Sequence, residues 1–544
     1  MAEDTQKIKK VLSIISLIGA LAAAWIFLNV LMNFSYPALQ GVTPRLLRIC
    51  PEILLVFSLV CLWAWLRIPF RRVLFILLTM IVVFLRLFRI ADGLVPLYFN
   101  RPFNLFLDSQ FLPDLIFLLY NTLPLWFFIT CALSAAIICG LISAGTWCAL
   151  KVIYAFFSSR RRLALAAVIT GACLYIFHLP AAGNGRSVFA TATIQRLATE
   201  MNFILHLSDI TDQHLAAFEA AIQKGARYQK PLTGLNGSNV YVFFIESYGH
   251  TLFTDPRHKP LIFPYLQNAE KKLRAHGFAV ASNFLKSTTF GGGSWLAHGS
   301  LASGVAITSQ LSYDLLLTSR VQPIAAYFRR AGYRTVSVMP GTLWPWPAGE
   351  FYQYRKKYYA FDFEYRGPDF GWAPMPDQFV LDYIRRAEIR GHTRPLFIEF
   401  VLVSSHAPFN EQPRYLSDWS QIKDGSIYHI QTALEFPVIW PHLENASEAY
   451  VTSIGYDFKV LVEFMAQAID GDALMIVLGD HQPNLKITGN DQPWSVPVHV
   501  ISRRAEFVER FFQKGYTPGL IPSQPLPHAG VECLLWDLLE EFSE

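Results

Sequence analysis

Three places in this chain carry residues that could share one chemical task. Gly479-Asp480-His481 closes an apolar run from Ala473 to Leu478, so a carboxylate and an imidazole leave one strand end together. A second apolar run, Tyr241 to Ile245, delivers Glu246 in the same way. Between them, Gly291-Gly292-Gly293-Ser294 presents a hydroxyl after three glycines and just ahead of a helical pattern. Glu246, Asp480, His481 and Ser294 make an oxygen and nitrogen shell suited to one divalent metal, Zn2+ or Mn2+. A serine hydroxyl is a weak nucleophile at neutral pH, and coordination lowers its pKa and orients its lone pair. The glycines would let a phosphate approach the backbone amides closely. Each piece has a plainer reading: an Asp-His pair after a strand is commonly a hydrogen-bonded loop, triple glycine is commonly a turn, and Thr288, Thr289 and Ser300 are rival hydroxyls. Order and context favour the metal shell, because all the pieces fall at strand ends or at a strand-to-helix turn.

The elements that must position these groups are legible as apolar runs. Tyr241 to Ile245, Thr335 to Met339, Leu396 to Val403, Ala473 to Leu478 and Val496 to Ile501 read as strands; Ile324 to Ala331 and Ala446 to Ala468 read as helices. Fully apolar strands alternating with helices predict an α/β domain whose mostly parallel sheet is covered on both faces. Ligands of such sheets sit beyond the carboxyl ends of the strands, where Glu246, His406 and Asp480-His481 all lie. His298, one helical turn after Ser294, is placed to protonate a leaving group or to bond an acceptor. His499, inside a strand, reads as a satisfied core histidine. With these histidines a second metal is possible but not shown by the sequence.

Roughly the first third is a different kind of chain. Apolar runs from Val11 to Phe34, Pro51 to Leu66, Val73 to Leu87, Leu115 to Leu150 and Leu163 to Leu179 predict about five transmembrane helices. The fourth run exceeds one span, so it tilts, breaks at Gly140 or continues past the bilayer. Lys7, Lys9, Lys10, Arg67, Arg71, Arg72, Lys151, Arg160, Arg161 and Arg162 fall on one face; Arg45, Arg48, Arg89 and Arg101 fall on the other. That bias sets the amino terminus in the cytoplasm and everything after Pro180 outside, as in a bacterial inner membrane facing the periplasm. The first run lacks a small-residue cleavage site and reads as an uncleaved anchor. The expected division is a transmembrane domain over 1–180, juxtamembrane linker helices over 181–235 and a catalytic domain over 236–544. Six of the seven cysteines precede residue 180, leaving Cys533 alone in the exported part, which therefore relies on an ordinary core rather than internal disulfides. A net charge of +5 over 544 residues, with no Lys/Arg stripe, argues against a nucleic-acid partner.

Phe244-Ile245-Glu246-Ser247, the Gly-rich Ser294 segment, Ser405-His406-Ala407-Pro408-Phe409 and Leu478-Gly479-Asp480-His481 resemble the sulfatase-like branch of the alkaline phosphatase superfamily. The plan of apolar spans followed by an exported domain is similar to that of lipoteichoic acid synthases and phosphoethanolamine transferases. The resemblance implies an alkaline phosphatase-like fold and transfer of a phosphoethanolamine or phosphoglycerol headgroup from a membrane phospholipid to an exported glycan or lipid acceptor. It implies Glu246, Asp480 and His481 as metal ligands, Ser294 as metal-bound nucleophile and His406 as the contact to the substrate phosphate. Trp372 to Tyr383, including Asp377, also resembles a family segment. The chain departs from the pattern in having serine where the lipid-headgroup transferases usually have threonine. It reads Ser294-Trp295-Leu296-Ala297-His298, without the motif of formylglycine sulfatases, and Trp344-Pro345-Trp346-Pro347-Ala348 where the synthases place an arginine. Two other readings use the same features: a membrane-anchored phosphatase, phosphodiesterase or sulfatase with water as acceptor, and an inactive binding subunit of an envelope polysaccharide or lipid exporter.

Overall fold

The structure, a computed structural model, describes residues 2–34, 48–181, 188–431, 433–438, 443, 445–469, 471–490, 492–523 and 529–543. Arg45 and positions 182–187 of the expected exit from the bilayer lie outside the described residues. The chain divides into two units, Met1–Leu97 with Arg101–Leu207, and Tyr98–Asn100 with Ser208–Glu544.

In the first unit helices stand at the five expected positions: Ala2–Asn33, Pro51–Trp65, Arg72–Phe99, Leu125–Ser158 and Arg161–Ala181. Three of them contain stretches long and apolar enough to cross a membrane, Val11–Asn33, Arg72–Phe99 and Leu125–Ser158. Pro51–Trp65 is apolar but has 15 residues, short of the roughly 20 that span a bilayer core. Length and composition thus support three spans among the described residues, and the expected count of five is not reached. The overlong fourth run is divided, at Pro124 rather than Gly140. Leu112–Thr122 ends where Leu123 turns extended, φ −94° and ψ 145°, and Leu125–Ser158 then runs unbroken through Gly140. Proline forces its predecessor out of the helical region, whereas one glycine in a long apolar helix is tolerated.

A charge pair is buried inside this unit. Arg89 donates to Glu52 at 2.8 Å, to Thr193 Oγ1 at 2.6 Å and to the Met32 and Thr191 carbonyls. Glu52 in turn accepts from the Thr193 and Ile194 amides, so both charges are enclosed with partners.

The second unit contains the strands β1 (Val240–Ile245), β2 (Ala279–Lys286), β3 (Arg334–Met339), β4 (Lys356–Tyr359), β5 (Leu396–Leu402), β6 (Glu411–Gln412), β7 (Leu434–Glu435), β8 (Leu474–Gly479), β9 (Ser495–Ser502) and β10 (Thr517–Pro518). Eight of these form one sheet in the order β10-β2-β9-β8-β1-β5-β3-β4. From β8 to β4 all neighbours are parallel, and β9, β2 and β10 extend the edge by antiparallel pairing. The result is an α/β domain with a mostly parallel sheet.

Strand β1 shows why its sequence has no polar face. Tyr241, Phe243 and Ile245 pack with Ile262 of helix Lys259–Ala275 and with Ile454 and Phe464 of helix Ser447–Ala468. Val240, Val242 and Phe244 point the other way, into a core with Leu301 of helix Ser294–Ser303, Phe328 of helix Ile324–Arg330 and Leu535 of helix Cys533–Phe542. A strand covered on both sides must be apolar throughout. β2 escapes that pattern because it carries Ser282 and Asn283 among its apolar residues, and its burial runs intermediate at Ala279 and Asn283.

Candidate metal centre

Register places the acidic groups. Ile245 of β1 stands opposite Gly479 of β8 and opposite Leu402 of β5, so Glu246, Asp480 and the Val403–His406 loop leave three neighbouring strands at their carboxyl ends. Ser247 takes a left-handed backbone, φ 59°, which is costly for a residue with a side chain and is held here by two bonds. Its amide donates to Asp480 Oδ1 at 2.9 Å and its hydroxyl to Glu246 Oε1 at 2.9 Å. The His481 amide donates to the same Asp480 oxygen at 2.7 Å.

His481 is oriented by its own backbone neighbour. Nδ1 bonds the Gln482 carbonyl at 2.8 Å, which requires the proton on Nδ1 and leaves the Nε2 lone pair facing the carboxylates. Nε2 stands 3.3 Å from Glu246 Oε1 and 3.6 Å from Asp480 Oδ2. Ser294 Oγ completes the group, 3.3 Å from Glu246 Oε2 and 3.2 Å from His481 Nε2. It reaches this point because Gly291, Gly292 and Gly293 all take positive φ (70°, 148° and 76°), conformations that only glycine adopts without strain, and the helix begins at Ser294 itself.

The electrostatics are those of a site short of positive charge. Glu246, Asp480 and His481 are buried, and among the described residues no lysine or arginine pairs with either carboxylate. Burial and the adjacent Glu246 charge push the Asp480 carboxyl up to about 6. Burial also disfavours charge on Glu246, yet His481, His406 and the hydrogen bonds around it outweigh that and hold it below its ordinary value. Burial would depress His481, but the two carboxylates win and raise it. Two carboxylate oxygens and one imidazole nitrogen converging within 4.8 Å, with the tautomer already fixed, fit a divalent cation.

The remaining histidines separate by environment. His406 is exposed, bonds the Ala407 carbonyl through Nδ1 at 2.7 Å, and stacks on Trp372 with centroids 5.4 Å apart. His298 is buried against Phe244, centroids 4.1 Å apart, and its Nε2 has no hydrogen-bond partner among the described residues. Burial drives it down to about 4, so it is neutral at pH 7 and lacks the proton that an acid would donate. His499 is satisfied on both nitrogens, by Tyr248 Oη at 2.9 Å and Ser282 Oγ at 2.6 Å, as expected of a core residue. The rival hydroxyls point elsewhere: Thr288 and Ser300 bond each other, and Thr289 bonds the Gly292 carbonyl.

Sequence reasoning gave no role to the residues that hold these groups. Ser405 Oγ donates to the Glu246 carbonyl at 2.7 Å, and Ser287 Oγ to the Asp480 carbonyl at 2.5 Å. Asp377, fully buried, accepts the amides of Val403 and Ser404 and so fixes the loop that carries His406. The buried Asp457 beside it is pushed well above the carboxylate range by burial and by Asp377. A serine directly after Glu246 and another directly before His406 were the available signals.

With this geometry in place the chain can be compared with known proteins. Residues 298–502 match the sulfatase family model. That stretch includes His298, His406, Asp480, His481 and His499 and begins after Glu246 and Ser294. No curated protein matches the sequence. Among solved structures the chain is similar to a lipoteichoic acid synthase from Listeria monocytogenes, at 14% identity and TM-score 0.37 over 56% of this chain and 72% of that one. It is similar to the periplasmic domain of EptC from Escherichia coli, at 14% identity and TM-score 0.37 over 57% and 84%. A phosphoglycerol transferase from Streptococcus pyogenes follows at 11% identity and TM-score 0.36 over 61% and 91%.

Proposed function

We propose that this chain is a membrane-anchored transferase that moves a phosphate-bearing headgroup, phosphoethanolamine or phosphoglycerol, from a phospholipid to an exported glycan or lipid. The observation that carries the reading is the convergence of Glu246, Asp480 and His481 Nε2 around the Ser294 hydroxyl at the start of its helix. The membrane domain occupies 1–180, linker helices 181–235 and the catalytic domain 236–544, in a bacterial inner membrane with the catalytic domain on the periplasmic side.

Glu246, Asp480, His481 and Ser294 would hold one Zn2+ or Mn2+. Such an ion supplies positive charge that favours the serine alkoxide and offsets charge on the phosphoryl oxygens. Ser294, having lost its proton to solvent, attacks the lipid phosphorus. The Oγ–P bond forms as the bond from phosphorus to the diacylglycerol oxygen breaks, and that oxygen takes a proton from His406. The acceptor hydroxyl then gives its proton to His406 and attacks phosphorus, releasing Ser294 as the Oγ–P bond breaks. Trp372 keeps the His406 ring in place, and Asp377 holds the backbone behind it. His298, on the buried side of the helix that Ser294 begins, serves as a neutral group rather than as the acid.

Peptide mass spectrometry of the purified, metal-loaded protein after incubation with phosphatidylethanolamine or phosphatidylglycerol tests this reading. A headgroup-phosphate adduct on the Ser294 peptide, absent from Ser294→Ala, supports it and names the donor by mass. Turnover of either lipid in Ser294→Ala at the wild-type rate contradicts it.

A further inference from the structure

The membrane unit carries a groove that its own packing leaves open. It is an apolar channel of about 490 Å3 between helices Arg72–Phe99 and Leu125–Ser158, lined by Ile76, Met80, Val83, Phe84, Leu87 and Trp147. The two hydroxyls on its wall are spent on their own helices: Thr79 donates to the Phe75 carbonyl at 2.8 Å and Ser143 to the Cys139 carbonyl at 2.7 Å. The groove therefore offers an occupant only hydrocarbon contact. A second hollow of about 610 Å3 shares Ile76 and Trp147 with it and is lined otherwise by Phe70, Arg72 and Lys151. Both cationic side chains are exposed, and among the described residues neither pairs with a carboxylate.

Dimensions and charge select the occupant. From Ile76 to Leu87 the helix rises roughly 16 Å at 1.5 Å per residue, about half the 30 Å hydrocarbon core of a bilayer. The channel is thus one leaflet deep, the reach of a single lipid chain, with positive charge only at its mouth. Arg72 and Lys151 belong to the face that carries ten basic residues, the cytoplasmic face by the charge bias. The turn at the mouth is held to its neighbour helix, since Tyr154 Oη donates to the Ile68 carbonyl at 2.7 Å. Basic pockets between membrane helices on that side suit anionic head groups.

We propose that this channel binds an anionic glycerophospholipid of the cytoplasmic leaflet, with its phosphate between Arg72 and Lys151 and one acyl chain laid along Ile76 to Leu87. The site belongs to the membrane unit alone and does not depend on the transferase reading. A zwitterionic lipid fits less well, because its ammonium group would face Arg72 and Lys151.

Native mass spectrometry of the full-length protein in detergent, titrated with dioleoylphosphatidic acid or dioleoylphosphatidylcholine, provides the test. Wild type should retain phosphatidic acid in preference to phosphatidylcholine. Arg72→Gln with Lys151→Gln should weaken that binding roughly 30-fold, from two cationic groups at an anionic head. Val83→Trp, which fills the channel and leaves the charges in place, should weaken it as well. Phosphatidic acid bound at the catalytic site would survive both variants. Equal retention of the two lipids, or undiminished phosphatidic acid in either variant, overturns the proposal.

Discussion

Both units of this protein bury ionised groups, and they treat them in opposite ways. In the membrane unit Arg89 and Glu52 lie fully enclosed, yet each has the other and several backbone or hydroxyl partners. At the carboxyl ends of β1 and β8, Glu246 and Asp480 are equally buried, and the partner at hand is one imidazole, His481, whose Nε2 lies 3.3 Å and 3.6 Å away. Burying an ionised carboxylate is costly unless charge and hydrogen bonds offset it. The first cluster is closed and holds helices together; the second sets two buried carboxylates against one imidazole. What separates a structural charge cluster from a working one is the balance left over, not the depth of burial.

The largest effect expected from this contrast is on activity. Ser294→Ala should lower turnover by on the order of 10⁴-fold, read as release of diacylglycerol from a labelled lipid, while leaving thermal unfolding nearly unchanged. In the membrane unit the opposite should hold. Arg89→Ala strands a buried carboxylate and should cost about 3–5 kcal/mol, seen as a lower unfolding temperature in detergent. Arg89→Met combined with Glu52→Leu should recover much of that loss; if it does not, the pair is more than a closed structural cluster.

Another buried acid sharpens the comparison through pH. Glu399 in β5 is enclosed, with Tyr354 Oη donating to one oxygen at 2.9 Å, and burial pushes its carboxyl up to about 7. Its ordinary value is 4.5, so the folded state holds this proton more tightly than the unfolded chain does. The stability it contributes is fully present below about pH 4.5 and is lost as pH rises through about 7, amounting to roughly 3 kcal/mol for some two and a half units. Glu399→Gln should therefore unfold at a higher temperature than wild type at pH 8, with the gap closing by pH 4.5. The smallest effect belongs to Trp372→Ala. Removing the ring under His406 should cost about 1 kcal/mol of positioning, a several-fold loss in kcat/KM with metal content unchanged.

Much of this site was readable in the residues. A strand covered on both faces must be apolar throughout, so the runs ending at Ile245 and Leu478 announced β1 and β8, and whatever polar residue followed each was bound to lie at a carboxyl end. Triple glycine before Ser294 likewise announced a turn that only glycine can make. The break at Pro124 was available too, but length drew attention to Gly140. β2 stayed hidden because Ser282 and Asn283 interrupt its pattern, and the role of Ser282 is set by His499, which is 217 residues away in sequence. Spacing placed His298 one turn from Ser294 without revealing that its ring faces Phe244. The same limit hid the roles of Ser405 and Asp377, whose work is to bond backbone groups distant in sequence.

The account rests most directly on the missing positive charge at Glu246, Asp480 and His481. Metal content of the full-length protein, purified without chelator and measured by inductively coupled plasma mass spectrometry beside Asp480→Asn and Glu246→Gln, examines it. About one equivalent of Zn2+ or Mn2+ per chain in wild type, lost in both variants while their unfolding stays cooperative, is the result predicted from the donor set. Wild-type protein that takes up no divalent metal even when offered it, or variants that keep the full equivalent, would contradict the account.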